Sequence, residues 1–372
     1  MNTKNSPFKY ILDGPTGSST RIHNKDMLYF AGVGYFQLQN HPEIIQASID
    51  ALQKYGVTAA TSRAGIGTTD LLLELDQKIA EYFDTEDAVY LPSGYLSNMA
   101  GIQALKAMKK FDVIFMDEVV HYCNEEAALT TGLPIYRFKS RDAEDLENQI
   151  KTHLKGNERP LIVSDGMFPV WAWMAPIPEY LKIAEKYDGI IWLDDAHPVG
   201  IIGEHGRGTY DYHKLKSERL YMGATLSKAF GAYGGFVPGS EEFIYHVKHG
   251  HIVDGATSPV SAAAGAALKG LQLVSDHPEW RDTIRANAMR LKNGLRQLGI
   301  EVENNDFPVT SFKIGNAEQM QAIHAEVLKR NIYIQYTKYI GAGPEGVLRT
   351  VMFSTHSNEQ IDLLLDNLKE II

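Results

Sequence analysis

Apolar positions along the middle of the chain alternate between two periods. Short runs of apolar and β-branched residues recur in "DAVYLPSG", "DVIFMDE", "PIYRF", "RPLIVSDG", "GIIWLDDAH" and "RLYMGATLS". Between them lie stretches whose apolar residues fall three and four apart. "TTDLLLELDQKIAEYF" sets Leu71, Leu72, Leu75, Ile79 and Phe83 on one face, and "PEYLKIAEKYD" repeats the pattern. Strand signals alternating with helix signals predict strands joined by crossover helices. The runs are too apolar to leave a face in water, so a buried, mostly parallel central sheet is expected. The fold class is α/β.

The texture changes near residue 277. The amphipathic "DTIRANAMRLKNGLRQLG" gives way to strand-like "VTSFKIG", helical "AEQMQAIHAEVLKR", strand-like "IYIQYT" and "VLRTVMF", and a last helix. This predicts a smaller C-terminal α+β domain over residues 277–372, after a large domain over 56–276. Residues 1–55 read as an N-terminal arm followed by the helix "PEIIQASIDALQKYG".

Composition narrows the function classes. The 372 residues are 44% hydrophobic and 22% charged, the balance of a soluble globular protein. A formal net charge of −10 without any lysine- or arginine-rich run argues against nucleic-acid and anionic-membrane partners. The single cysteine, Cys123, forms no internal disulfide, and no Cys/His spacing suggests a metal. The opening "MNTKNSPFKYILDGPTG" carries no apolar signal core, and no apolar run is long enough to span a bilayer. A cytoplasmic location is expected.

Candidate chemistry collects where strands end, the edge at which open α/β sheets bind ligands. "IIWLDDAHPVG" leaves its strand through Asp194, Asp195 and His197, and "LPSGYLSN" through Ser93, Gly94 and Tyr95 into a helix start suited to phosphate. "MDEVVHYCNEEAA" places His121 just after a strand, and "MGATLSKAFGAYGGF" sets Lys228 among small and apolar neighbours. Singly, these are ordinary turns, caps and surface groups. The glycines of "GIGTTD" and "GAYGGF" make no nucleotide fingerprint. Jointly they match an aldehyde-bearing pyridine phosphate, which requires an acid at its ring nitrogen, a phosphate cradle and a lysine for a Schiff base. Asp194 and Lys228 fill the first and last of these positions.

"LDDAHPVGIIGEHGRGT" followed by "ATLSKAFGAYGG" resembles the α-oxoamine synthase group of fold-type-I pyridoxal-phosphate enzymes. The likeness continues through "YGVTAATSRAGIGTTDLLLELDQKIAEYF", "LPSGYLSN", "DEVVHYC" and "GVLRTVMFSTHSNEQID", covering most of the chain in order. It implies pyridoxal 5′-phosphate as cofactor and a homodimer with active sites at the subunit interface. It further implies that Asp194 pairs with the pyridine nitrogen, His197 with the ring hydroxyl, and that His121 stacks on the ring and assists condensation. Ser93, Gly94, Tyr95 and Thr225 are implied at the phosphate, with Arg349 in "VLRTV" gripping the substrate carboxylate. Thr257 and Ser258 are the candidates for a phosphate contact from a partner subunit.

The substrate end departs from the family pattern. The family's "sNdYLGL" reads "AGVGYFQL", with Val33 in place of an asparagine, and "GVFSMDGDxAPL" reads "GMFPVWAWMAPI", bringing in Pro169, Trp171 and Trp173. The resemblance implies an acyltransferase that joins an amino acid to an acyl-CoA. An aminotransferase on the same scaffold is the alternative, favoured by Val33 and Pro169, and a catalytically silent cofactor-binding protein is a third reading.

Overall fold

A computed structural model describes residues 10–372; residues 1–9, which belong to the segment read above for a signal core, lie outside them. The chain divides into two compact units, one of the residues up to Asn40 with Glu279–Ile372, the other of His41–Pro278.

The larger unit is built on a seven-stranded sheet. Its strands are β1 (Asp87–Leu91), β2 (Val113–Asp117), β3 (Ile135–Phe138), β4 (Pro160–Asp165), β5 (Ile190–Asp194), β6 (Leu220–Thr225) and β7 (Gly235–Gly239). They lie in the order β1-β7-β6-β5-β4-β2-β3. Strands β2 to β6 are mutually parallel, and β7 runs antiparallel to both its neighbours. The sequence pattern locates every strand except β7, "GFVPG", whose two glycines and proline carry no strand signal. Pro238 is accommodated because β6 pairs with β7 only at Gly235 and Phe236.

Helices cover the sheet as its apolar strands demand. Ile114, Met116, Leu161, Val163 and Trp192 pack with Ala100, Ile102 and Leu105 of the helix Gly94–Ala107. Gly101 of that helix has no room for a side chain, because a Cβ there would overlap the Trp192 ring. On Asp70–Phe83, all five residues of the predicted face are buried. Asp76 is buried there too, in an ion pair with Arg63 (Nη2–Oδ2 2.6 Å) and accepting the Tyr90 N–H at 2.7 Å. Burial raises its carboxyl pKa, and the guanidinium opposes that. Among the described residues no helix is long and apolar enough to cross a membrane.

The smaller unit is α+β. The hairpin Ser19–Ile22 with Lys25–Tyr29 takes Ile332–Tyr333 as a parallel third strand. Val347–Val351 lies between Val309–Phe312 and Gln335–Thr337 in an antiparallel sheet. The arm thus contributes strands to this unit, while the helix Pro42–Tyr55 that follows it belongs to the larger one.

Within the smaller unit, His356 pins the arm to the C-terminal segment. Its Nδ1 accepts from the Phe353 N–H at 2.9 Å, its Nε2 lies 3.1 Å from the Tyr29 carbonyl, and its ring stacks on Phe30 with centroids 4.4 Å apart. Desolvation holds its pKa down at about 4. The unfolded chain therefore takes up a proton near pH 6.5 that the folded chain refuses until about 4. Stability from this residue is full above pH 6.5 and drains away as pH falls, by roughly 3 kcal/mol in total. Denaturant melts between pH 4 and 8 are expected to show a shallower acid loss in His356→Leu than in the parent. Parallel curves would remove His356 from the account.

Candidate active site

One edge of the sheet carries the chemistry. Eight residues singled out in the sequence, Ser93, Gly94, Tyr95, His121, Asp194, His197, Thr225 and Lys228, line a single cavity of about 240 Å³. They reach it from the carboxyl ends of β1, β2, β5 and β6, as the strand-end rule requires.

One end of the cavity is a helix start. Ser93 caps Gly94–Ala107, its Oγ accepting from the Leu96 N–H at 3.2 Å. A Cβ on Gly94 would sit 2.8 Å from the Thr225 Cβ, and one on Gly235 would lie 2.5 Å from the Gly94 backbone. Only glycines let this helix abut the strand ends. Thr225 donates to the Gly234 carbonyl at 2.8 Å and accepts the Ser227 N–H at 3.2 Å, which tightens the turn beside the helix start. Exposed N–H groups at the positive end of a helix favour an anion here.

Two adjacent acids have separate surroundings. Asp195 is fully buried and outside the cavity, its oxygens taken by the Thr209 N–H at 2.8 Å and the Thr209 hydroxyl. Burial pushes its carboxyl up to about 7. Asp194 faces the cavity. Its Oδ1 accepts from the Ala196 N–H at 3.0 Å, and its Oδ2 from Asn98 Nδ2 at 2.9 Å and Cys123 Sγ at 3.1 Å.

Asp165 pairs with Asp194 in the register of β4 and β5 and also lines the cavity. It accepts the His121 N–H at 3.1 Å and Asn124 Nδ2 at 3.1 Å. Burial and the neighbouring Asp194 push its pKa well up. His121 caps Tyr122–Leu129, with Nδ1 accepting from the Cys123 N–H at 3.3 Å, so its ring hydrogen sits on Nε2. Desolvation lowers its pKa and favours the neutral imidazole.

The ligand atoms of His121, Cys123 and Asp194 lie within 4.8 Å of one another, a trio that the sequence spacing did not reveal. Burial, with Asp194 close by, raises the Cys123 thiol pKa. The thiol therefore keeps its hydrogen and donates, where a metal ligand would need the thiolate.

Lys228 stands on the turn between β6 and β7, outside any helix. Backbone bonds from Leu226 to Gly234 (3.0 Å) and from Ala232 to Leu226 (3.0 Å) close that turn. The lysine is half-buried, beside the fully buried Leu226, Ala229 and Phe230.

The ninth residue, Arg349, lies in the smaller unit on the middle strand Val347–Val351. It is buried, donates to Gln335 Oε1 at 3.4 Å and interacts with Tyr29, Tyr35 and Tyr339. Desolvation lowers its pKa. Val33 belongs to the same unit. Of the three departures in "GMFPVWAWMAPI", Pro169 alone lines the cavity. Trp171 and Trp173 stack on each other with centroids 5.3 Å apart, and the Arg141 guanidinium lies 4.1 Å over Trp173. Ser258 directs its hydroxyl to the Gly67 carbonyl at 2.6 Å, and Thr257 bridges to Ser62.

Sequence reasoning passed over Asn98, Cys123 and Asp165. Asp165 ends "RPLIVSD" just as Asp194 ends its own strand, so the same rule finds it. Asn98 is one helical turn beyond Gly94, on the same face.

The chain belongs to the aminotransferase class I and II family, which it matches over residues 31–368, and within it to the α-oxoamine synthase group. It is 31% identical to an 8-amino-7-oxononanoate synthase of Alkaliphilus metalliredigens, over 97% of this chain and 91% of that protein. A putative 8-amino-7-oxononanoate synthase of Acetivibrio thermocellus is 32% identical, with 96% and 92% covered. Among solved structures, serine palmitoyltransferase of Sphingomonas wittichii shares the fold, with a TM-score of 0.91 at 22% identity over 98% of this chain and 92% of that one. The cofactor is pyridoxal 5′-phosphate. The residues present fit it: a helix start with no room for a Cβ at Gly94, an acid met by hydrogen-bond donors, and a lysine in the same cavity.

Proposed function

We propose that this chain is a pyridoxal-phosphate-dependent acyltransferase that condenses an amino acid with an acyl-CoA thioester. The observation that carries the reading is the shared cavity of Lys228, Asp194, His121, His197 and the Gly94 helix start, in a chain about 31% identical to its synthase relatives along nearly its whole length. When bound, the cofactor supplies an aldehyde for the amine and a protonated ring that draws electrons from the substrate Cα.

The chain's residues do the rest. Ser93, Gly94, Tyr95 and Thr225 hold the phosphate. Asp194 keeps the proton on the ring nitrogen, and His197 bonds the ring hydroxyl. His121, neutral through desolvation, would meet the ring without adding charge. Lys228 would anchor the aldehyde carbon and, once the substrate amine has displaced it, would take the proton from the substrate Cα. Arg349 pairs with the substrate carboxylate through its two-pronged guanidinium.

The test is thiol release. Purified protein, given a panel of amino acids and acyl-CoAs, is expected to liberate free thiol with at least one pair and only when both partners are present. Bleaching of the cofactor by amino donor alone, with keto acid released and no thiol from any pair, would make it an aminotransferase instead.

A homodimer and a cytoplasmic location complete the proposal. Ile45, Ile49 and Leu52 on the helix Pro42–Tyr55, together with Leu73 and the 91% exposed Ile66, are exposed apolar side chains of the kind a second copy would cover. The single free cysteine, Cys123, suits a reducing compartment.

A further inference from the structure

Behind Asp194 lies a hydrogen-bond chain that ends on a group with no choice of direction. The Trp192 indole is fully buried and only donates, and its Nε1–H meets Asn98 Oδ1 at 2.9 Å. That contact settles which way the Asn98 amide faces. Its NH₂ must point the other way, where Nδ2 is 2.9 Å from Asp194 Oδ2 and 3.1 Å from the Gly94 carbonyl. Asn98 is 1% exposed, so water cannot replace a lost partner. Both amide hydrogens and the amide oxygen are engaged, leaving nothing to gain from a flip.

The surroundings of Asp194 follow the same logic. Asn98, Cys123 and the Ala196 N–H all donate to it, so each of these contacts meets an acceptor oxygen. Small residues make this contact possible. A Cβ on Gly223 would fall 2.9 Å from the Trp192 ring and 3.1 Å from Asn98 Oδ1. Asn98 also ties the residue at the phosphate end, Gly94, to the acid at the ring end.

We propose that Asn98 is a positioning residue for Asp194. Oriented by the Trp192 indole, it holds the carboxylate aimed at the cofactor ring nitrogen. The proposal rests on the assignment of Asp194 to that nitrogen. Cys123 is an auxiliary donor, its S–H being the weaker partner.

The experiment reads the cofactor spectrum rather than turnover. A protonated ring nitrogen withdraws electrons from the imine that Lys228 forms, so losing that proton makes the imine more basic. The pH at which the visible band of the holoenzyme changes is measured for wild type, Asp194→Asn, Asn98→Ser and Asn98→Asp. Asn98→Ser withdraws the donor without adding charge. Asn98→Asp keeps the shape and the bond from Trp192 but turns an acceptor toward Asp194.

The midpoint is expected to rise by roughly one pH unit in Asn98→Ser and by more in Asn98→Asp, in the direction set by Asp194→Asn. Cofactor affinity is expected to fall about tenfold or more alongside. Loss of folded protein lowers the amplitude of the band but does not move its midpoint, so a purely structural role is told apart. If Asn98→Asp does not fold, Asn98→Ser decides alone. A wild-type midpoint in Asn98→Ser, with a shifted one in Asp194→Asn, overturns the proposal and leaves the Asp194 assignment standing. An unmoved midpoint in Asp194→Asn overturns both.

Discussion

Lys228→Ala is expected to carry no covalently trapped cofactor at all. After borohydride reduction, intact mass should show one cofactor adduct on the wild-type chain, mapping to Lys228, and none on the variant. Turnover should fall by roughly a thousandfold or more, because the variant loses the group proposed to remove the Cα proton and to anchor the cofactor. The remaining cavity still offers the helix start and Asp194, so non-covalent cofactor should bind and absorb as a free aldehyde. An adduct persisting in the variant, or mapping to another lysine in wild type, would put the chemistry elsewhere.

Arg349→Ala should separate substrate from cofactor. The guanidinium is buried beside Gln335 and the tyrosines of its own unit, a setting in which an anion's pairing is scarcely screened. Left without its partner, a desolvated carboxylate costs about 3–5 kcal/mol. Amino-acid affinity should therefore drop by roughly two to three orders of magnitude, while the visible band of the lysine-bound cofactor keeps its position. Arg349→Lys should recover only part of the loss, since an ammonium lacks the paired donors. Equal amino-acid titrations in Arg349→Ala and wild type would mean that the carboxylate is held by other groups or that the substrate has none.

What could be read without coordinates divides along physical lines. Leu71, Leu75, Ile79 and Phe83 declared their helix because burial imposes one period on a single segment. Strand β7 was hidden because its pairing is imposed by the preceding β6 and the distant β1, not by its own residues. The strand-end rule led to Asp194, His121 and Gly94, which share a cavity. Residue pattern alone carries no reason to prefer Asp194 to Asp195; in the structure the second acid is engaged by Thr209, away from the cavity. Asn98 was illegible for the opposite reason to Asp194. Its orientation comes from an indole on another strand, and no property of "LPSGYLSN" contains that indole. Arg349 came from resemblance alone.

The place of β1 in the sheet has a consequence for how the protein is made. Among the described residues its one neighbour in the sheet is β7, with Leu91 opposite Gly235 and Asp87 opposite Gly239. The strand that leads into Ser93 and Gly94 thus emerges from the ribosome long before the strand that holds it in line. Until Gly235–Gly239 has been synthesised, β1 has no partner edge, and the helix start at Gly94 has no Thr225 turn to abut. Such long-range pairing makes folding slow, and it makes the alignment of the Gly94 helix start a late event in the assembly of the larger unit. A nascent chain stopped short of β7 would carry the five parallel strands but leave β1 without its neighbour.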